Sequence, residues 1–113
     1  MDNILIKSFD IADETKKLSK MKFEIMKLDG YTFNKQTYQP GWRWSQDVKP
    51  QVKTDWCEMT HVGILISGQL HIKFSDGTEK DLKPNDVVII SPGHDGWVIG
   101  DEPAVFITIE QNK

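Results

Sequence analysis

The stretch Leu70-His71-Ile72-Lys73-Phe74-Ser75-Asp76-Gly77-Thr78-Glu79-Lys80-Asp81-Leu82 decides the fold. Leu70, Ile72 and Phe74 alternate with His71 and Lys73, so a strand of period two would put three apolar side chains on one face. Asp76-Gly77 is a strong hairpin signal, because a tight two-residue turn needs backbone that glycine adopts freely. Thr78–Leu82 reads as the returning strand.

Working outward, the same grammar repeats. Met59–Ile66 reads as a strand ended by Ser67-Gly68, with Met59, His61, Gly63 and Leu65 on one face and Thr60, Val62, Ile64 and Ile66 on the other. Pro84-Asn85-Asp86 turns the chain, and Val87–Ser91 reads as a buried strand. Pro92-Gly93 breaks it and Trp97–Ile99 resumes it. Gly100–Pro103 turns, and Ala104–Ile109 closes the set. Towards the N-terminus, Phe23–Leu28 alternates weakly and Asp29-Gly30 is a turn. Tyr31–Tyr38 alternates again, with Tyr31, Phe33 and Lys35 set against Thr32, Asn34 and Gln36. Pro40-Gly41 interrupts, and Trp42-Arg43-Trp44 resumes with both indoles on one face. Ser45–Asp55 is polar, contains Pro50 and reads as a long loop. About nine short strands separated by turn residues define an all-β sandwich or barrel. The acidic start and basic end of Ala12–Lys20 suit a short helix or an irregular arm, although Leu18 is almost its only apolar residue. The expected division is an N-terminal arm over 1–20 and a β-barrel over 21–113.

Composition narrows the function. The 113 residues are 38% apolar and 27% charged, as in an ordinary single globular domain. A net charge of -3 offers no basic field for a phosphate backbone, so nucleic acid is not an expected partner. The apolar runs Val62–Ile66 and Val87–Ile90 are far shorter than the ~20 residues of a membrane helix. Met1–Ser8 lacks the long apolar stretch of a secretion signal. The lone Cys57 excludes an internal disulfide, so cytoplasm is the expected compartment. No P-loop, Gly-x-Gly-x-x-Gly, Gly-x-Ser-x-Gly or His-Glu-x-x-His pattern occurs.

The segment from Asp55 to Gly100 resembles the paired signature motifs of the cupins, a superfamily of small double-stranded β-barrels or jelly rolls. With Gly68 as the closing glycine of the first motif, His61 takes the place of its glutamate. Asp55 and Cys57 take the places of its two histidines. With Gly93 as the second glycine of the second motif, Gly96 stands where that motif has its histidine, and His94 lies two residues earlier. The frame is kept and the ligand letters differ. The resemblance implies a cupin barrel, with an arm that is irregular or partly helical, and a pocket inside it for a small molecule. It also implies a divalent transition metal, Zn, Fe, Ni or Cu, on Cys57, His61 and His94, since thiolate and imidazole suit these ions.

Each residue has a plainer reading. His61 could be a histidine satisfied by a backbone carbonyl, His94 could sit on the mouth loop, and Cys57 could act as a small hydrophobe. Trp44, Met59 and Trp97 are expected beside His61 and His94 as pocket walls, whereas Trp42 and Trp56 suit packing or a dimer face. Asp55 reads as a solvated loop residue and His71 as an outward one. Two functions fit: a small-molecule-binding domain, or a metal-dependent enzyme of dioxygenase, isomerase or lyase type using Cys57, His61 and His94. The short apolar stretch Ile4-Leu5-Ile6 suits addition to a neighbouring subunit's sheet, hence an expected homodimer.

Overall fold

The computed structural model describes residues 3–112. Nine antiparallel strands are found among them: β1 (Glu14–Leu18), β2 (Met21–Leu28), β3 (Tyr31–Tyr38), β4 (His61–Ser67), β5 (Leu70–Phe74), β6 (Glu79–Leu82), β7 (Val87–Ile90), β8 (His94–Val98) and β9 (Ala104–Gln111). Six form one sheet in the order β1-β2-β3-β9-β4-β7, and three form a second in the order β6-β5-β8. The two sheets enclose the interior of a jelly-roll barrel. The β5–β6 hairpin forms at Asp76-Gly77, with a three-residue loop, Ser75–Gly77, in place of the two-residue turn: Phe74 N–H donates to Thr78 C=O at 2.8 Å and Gly77 N–H to Phe74 C=O at 3.0 Å. Gly77 has φ +93°, and Thr78 N–H is held by the Asp76 carboxylate at 2.9 Å. Leu70 pairs with Leu82 and Ile72 with Lys80, which buries Leu70 and Ile72 and leaves Lys73 exposed.

The core draws on both sheets, and several of its members, Trp42, Trp44, Ile72 and Phe106 among them, also face a cavity. Leu65 and Ala104 are wholly inaccessible, and Leu82 and Val98 are buried with them. The cavity is described below. Gly63 holds β4 tight against β9: a Cβ built there would lie 2.1 Å from the Ile107 carbonyl oxygen.

Four further expectations change. The arm is partly helical only at the 3-10 turn Phe9–Ile11, and residues 14–18 form β1 instead of a helix. Glu14–Lys17 are exposed and offer no stripe to bury, so hydrogen bonding to the edge of β2 is the better use of that backbone. The supposed loop Ser45–Asp55 contains two single-turn helices, α1 (Trp44–Asp47) and α2 (Lys49–Val52). The Asp47 carboxylate organises them, accepting from Arg43 N–H at 2.9 Å and from the Ser19 hydroxyl at 2.7 Å. β7 is buried on one face only: Val87 and Ile89 are 77% and 74% exposed on the outer face of the sheet, while half-buried Val88 and buried Ile90 turn inward. Finally, β8 begins at His94 and not at Trp97.

The close approach at Gly63 gives a sharp test. Gly63→Ala should destabilise the fold by about 2–3 kcal/mol, since the neighbour it meets is backbone and cannot rotate away. Urea unfolding of the two proteins measures it.

Candidate metal centre and barrel pocket

Three side chains converge inside the barrel. His61 opens β4 and faces inward with Gly63 and Leu65. His94 opens β8 and shares the inward face with Gly96 and Val98. Cys57 precedes β4, and its backbone is clamped to β8: Cys57 N–H donates to His94 C=O at 2.7 Å, and Gly93 N–H donates to Cys57 C=O at 2.7 Å. The clamp makes an isolated bridge, so the cysteine is fixed although it lies in no strand. Cys57 Sγ is 3.8 Å from His61 Nε2, and the rings of His61 and His94 lie edge to face at 5.2 Å. One donor atom from each residue falls within 4.8 Å of the others.

The chemistry of the set fits a soft or borderline metal. His94 Nδ1 is 2.8 Å from the Ser91 carbonyl, which can only accept, so Nδ1 carries the proton and Nε2 keeps its lone pair. Burial pushes His61 down to about 4, and the adjacent His94 adds to this. Burial also lowers His94, although the Ser91 carbonyl, Asp95 and Glu58 oppose it. Both imidazoles are therefore neutral near pH 7, the form in which they ligate metals. Burial raises the Cys57 thiol, so a metal would have to displace its proton. Zn–S and Zn–N bonds of about 2.3 and 2.0 Å require donor spacings of roughly 3–4 Å, close to the geometry found.

The triad lies on a cavity of about 510 Å³. Trp44 and Met59 contribute to the lining together with Cys57, His61 and His94; Trp44 is buried, while Met59 is 62% exposed. Trp97 does not line it. Strand parity places it on the other face of β8 from His94, where it stacks on His71 at 4.4 Å beneath the Arg43 guanidinium at 3.9 Å. Asp55 stands apart in solvent, 3.6 Å from Lys49 Nζ. His71 lies between Asp81 and Glu79 on the surface. Trp42 is buried and also lines the cavity, its indole N–H meeting Met21 Sδ at 3.2 Å.

Sequence reading missed the polar side of the cavity. Thr32, Asn34, Gln36 and Tyr38 of β3 line it, together with Thr108 of β9. The alternation of Tyr31–Tyr38 separated the two faces of this strand without saying which turns inward. The structure buries Gln36 and Tyr38 and leaves Tyr31 43% exposed. A polar alternate set in a strand paired on both edges was the available signal.

No known family model matches the sequence, and no curated protein is similar to it. Solved structures share its fold. Ectoine synthase from P. lautus superposes with a TM-score of 0.69 at 12% identity, over 96% of this chain and 78% of that one. KdgF from Halomonas sp. gives 0.61 at 13%, over 88% and 86%. A cupin-like protein from Thermotoga maritima gives 0.59 at 20%, over 80% and 68%. The fold is that of the cupins. On it this chain carries a buried Cys/His/His group with the composition and spacing to hold a metal ion.

The lowered histidines set a pH dependence for the metal-free chain. The unfolded chain protonates near pH 6.5, while folded His61 stays neutral down to about 4. Stability is therefore complete above pH 6.5, falls as the pH drops, and levels off below about 4. Chelator-treated protein should lose on the order of 2 kcal/mol from this source across the window, a figure discounted for partial exposure. In His61→Gln, urea unfolding at successive pH values should show a smaller loss.

Proposed function

We propose that this chain is a small-molecule-binding cupin that holds one divalent transition metal on Cys57, His61 and His94. The observation that carries this reading is the convergence of the three donor atoms within 4.8 Å on the wall of a cavity large enough for a metabolite. One thiol and two neutral imidazoles favour Zn, Fe, Ni or Cu over Mg or Ca, which prefer oxygen donors. Three protein ligands leave coordination open to an oxygen of the bound molecule, which the metal would polarise as a Lewis acid. The chain's own contribution is to fix the donors. Ser91 sets the His94 tautomer, the Cys57–His94 backbone clamp sets the sulfur, and β4 aims His61.

A second reading, a metal-dependent enzyme of dioxygenase, isomerase or lyase type, draws on the same open position. Turnover of a bound molecule would separate it from binding alone. Compartment follows the lone unpaired cysteine, which suits the reducing cytoplasm.

The assembly we propose is a homodimer. The outer face of the six-stranded sheet carries exposed Val62, Ile66, Val87 and Ile89, and β7 leaves one backbone edge unpaired. The chain also presents Ile4 and Ile6, 69% and 77% exposed and outside any strand. An apolar segment without a sheet and an apolar edge without a partner are complementary features that a second copy can satisfy.

Elemental analysis tests the metal. Parent protein should carry about one ion per chain; His61→Ala and His94→Ala should carry almost none, Cys57→Ala an intermediate amount, and Asp55→Ala the parental amount. All four should fold, because the core does not include the ion. Full occupancy in His61→Ala would remove this reading. Light scattering tests the dimer: Ile89→Lys should shift the parent from dimer mass towards monomer at micromolar concentration.

A further inference from the structure

The side of the cavity built by β3 and β9 has a defined hydrogen-bond polarity. Tyr38 is buried, and its hydroxyl donates to Gln36 Oε1. Gln36 Nε2 then donates to Thr108 Oγ1 at 3.2 Å, across the diagonal of the ladder that pairs Asn34 with Thr108. The opposite orientation of the Gln36 amide would leave the buried Tyr38 proton without an acceptor, so the direction is fixed. Thr108 accepts from inside the wall, and no acceptor among the described residues takes its own proton. That proton is presented to the cavity. Beside it the Asn34 carbonyl oxygen is shielded and has no donor. A turn about its soft terminal torsion brings either end of the carboxamide to the cavity.

Among the described residues the cavity lining contains no lysine and no arginine, and its only carboxylate is Glu110 of β9. A divalent ion on one thiolate and two neutral imidazoles would leave a single positive charge, enough for one anionic group at the metal. A second anionic group would meet hydroxyls, amides and Glu110, with no cation to replace its lost water.

Resting on the proposed metal site, we infer that the wall of Asn34, Gln36 and Thr108 selects small molecules with one metal-binding oxygen head and an uncharged polar tail, and rejects dianions. Thr108 donates to a tail oxygen, and Asn34 offers an amide to a neighbouring hydroxyl or carbonyl. Glycerate and malate are suitable probes. Both are 2-hydroxy acids, one ending in a hydroxyl and the other in a second carboxylate.

The experiment is calorimetric titration of the cobalt-loaded chain with each probe, with cobalt stoichiometry measured in parallel. Glycerate should bind about tenfold more tightly than malate, the difference made by an uncompensated charge. Thr108→Val, which is isosteric, should weaken glycerate about fivefold, the effect of one neutral hydrogen bond, while moving malate little. Asn34→Lys should narrow or invert the preference by giving the second carboxylate a counter-charge. Malate binding as tightly as glycerate in cobalt-loaded parent, Thr108→Val weakening both equally, or neither probe binding at millimolar concentration would overturn the assigned selectivity while the metal reading stands. Failure of the parent to take cobalt would instead overturn the metal reading, and this inference with it.

Discussion

The pairing of β9 on both its edges is the constraint on which the site depends. β9 bonds to β3 along eight residue pairs on one side and to β4 on the other. Thr108 is thereby set level with Asn34 in one direction and with Gly63 in the other. The polar wall and the strand that carries His61 are therefore held in register by a single element. A one-residue slip would turn Thr108 out and Ile107 or Ile109 in, and would separate Gln36 from its acceptor. Gly63 permits this arrangement, since β4 approaches the β9 backbone too closely for any side chain. The last strand in the sequence thus closes a structure begun by the first hairpin, and most of its contacts span long separations.

How far the site was legible depended on whether a local signal fixed a direction. His61 could be placed only through the resemblance to the cupin motif, in which the position seven residues before Gly68 turns inward; both faces of its strand are largely apolar, so parity alone gave no direction. His94 was open between loop and pocket, since Pro92-Gly93-His94-Asp95-Gly96 is dense in turn formers. Pairing with Phe74 and the rest of β5 extends this segment and makes His94 a strand residue. Trp97 was misplaced because an indole beside a histidine looks like a pocket wall. Three residues along an extended strand instead put it on the opposite face from His94. Cys57 sits in a short loop, and only the backbone bridge to His94 explains its orientation; no periodicity reports such a bridge.

The larger miss was β3, and its cause is physical. Alternation tells two faces apart, but the rule that apolar faces turn inward holds only where the interior is filled. Around a cavity the interior face can be the polar one, and in β3 it is. The same reasoning accounts for β7, whose four apolar residues read as a buried strand. A strand of a two-layer barrel has one face to the interior and one to solvent, so Val87 and Ile89 alternate outward and Val88 and Ile90 inward with no change in composition. β1 differs again: a charged segment with few apolar residues has no face of either kind, and an open strand edge decided its structure.

In this small barrel one set of side chains serves both the core and the cavity wall. Leu65, Leu82, Val98 and Ala104 pack where the cavity does not reach, while Trp42, Trp44, Cys57, Ile72 and Phe106 belong to the same core and also wall the cavity. The cavity retains groups that a filled interior would exclude: a thiol raised by burial, two imidazoles kept neutral, and an amide oxygen without a partner. The imidazoles oppose folding only at acid pH and the thiol only at alkaline pH, and each of these groups is one that a metal or a polar molecule can satisfy. The neutral imidazoles are the more telling, because burial that disfavours their charged form keeps their lone pairs free. Desolvation costs the metal-free fold stability at acid pH and, through the same interaction, prepares the two histidines to ligate.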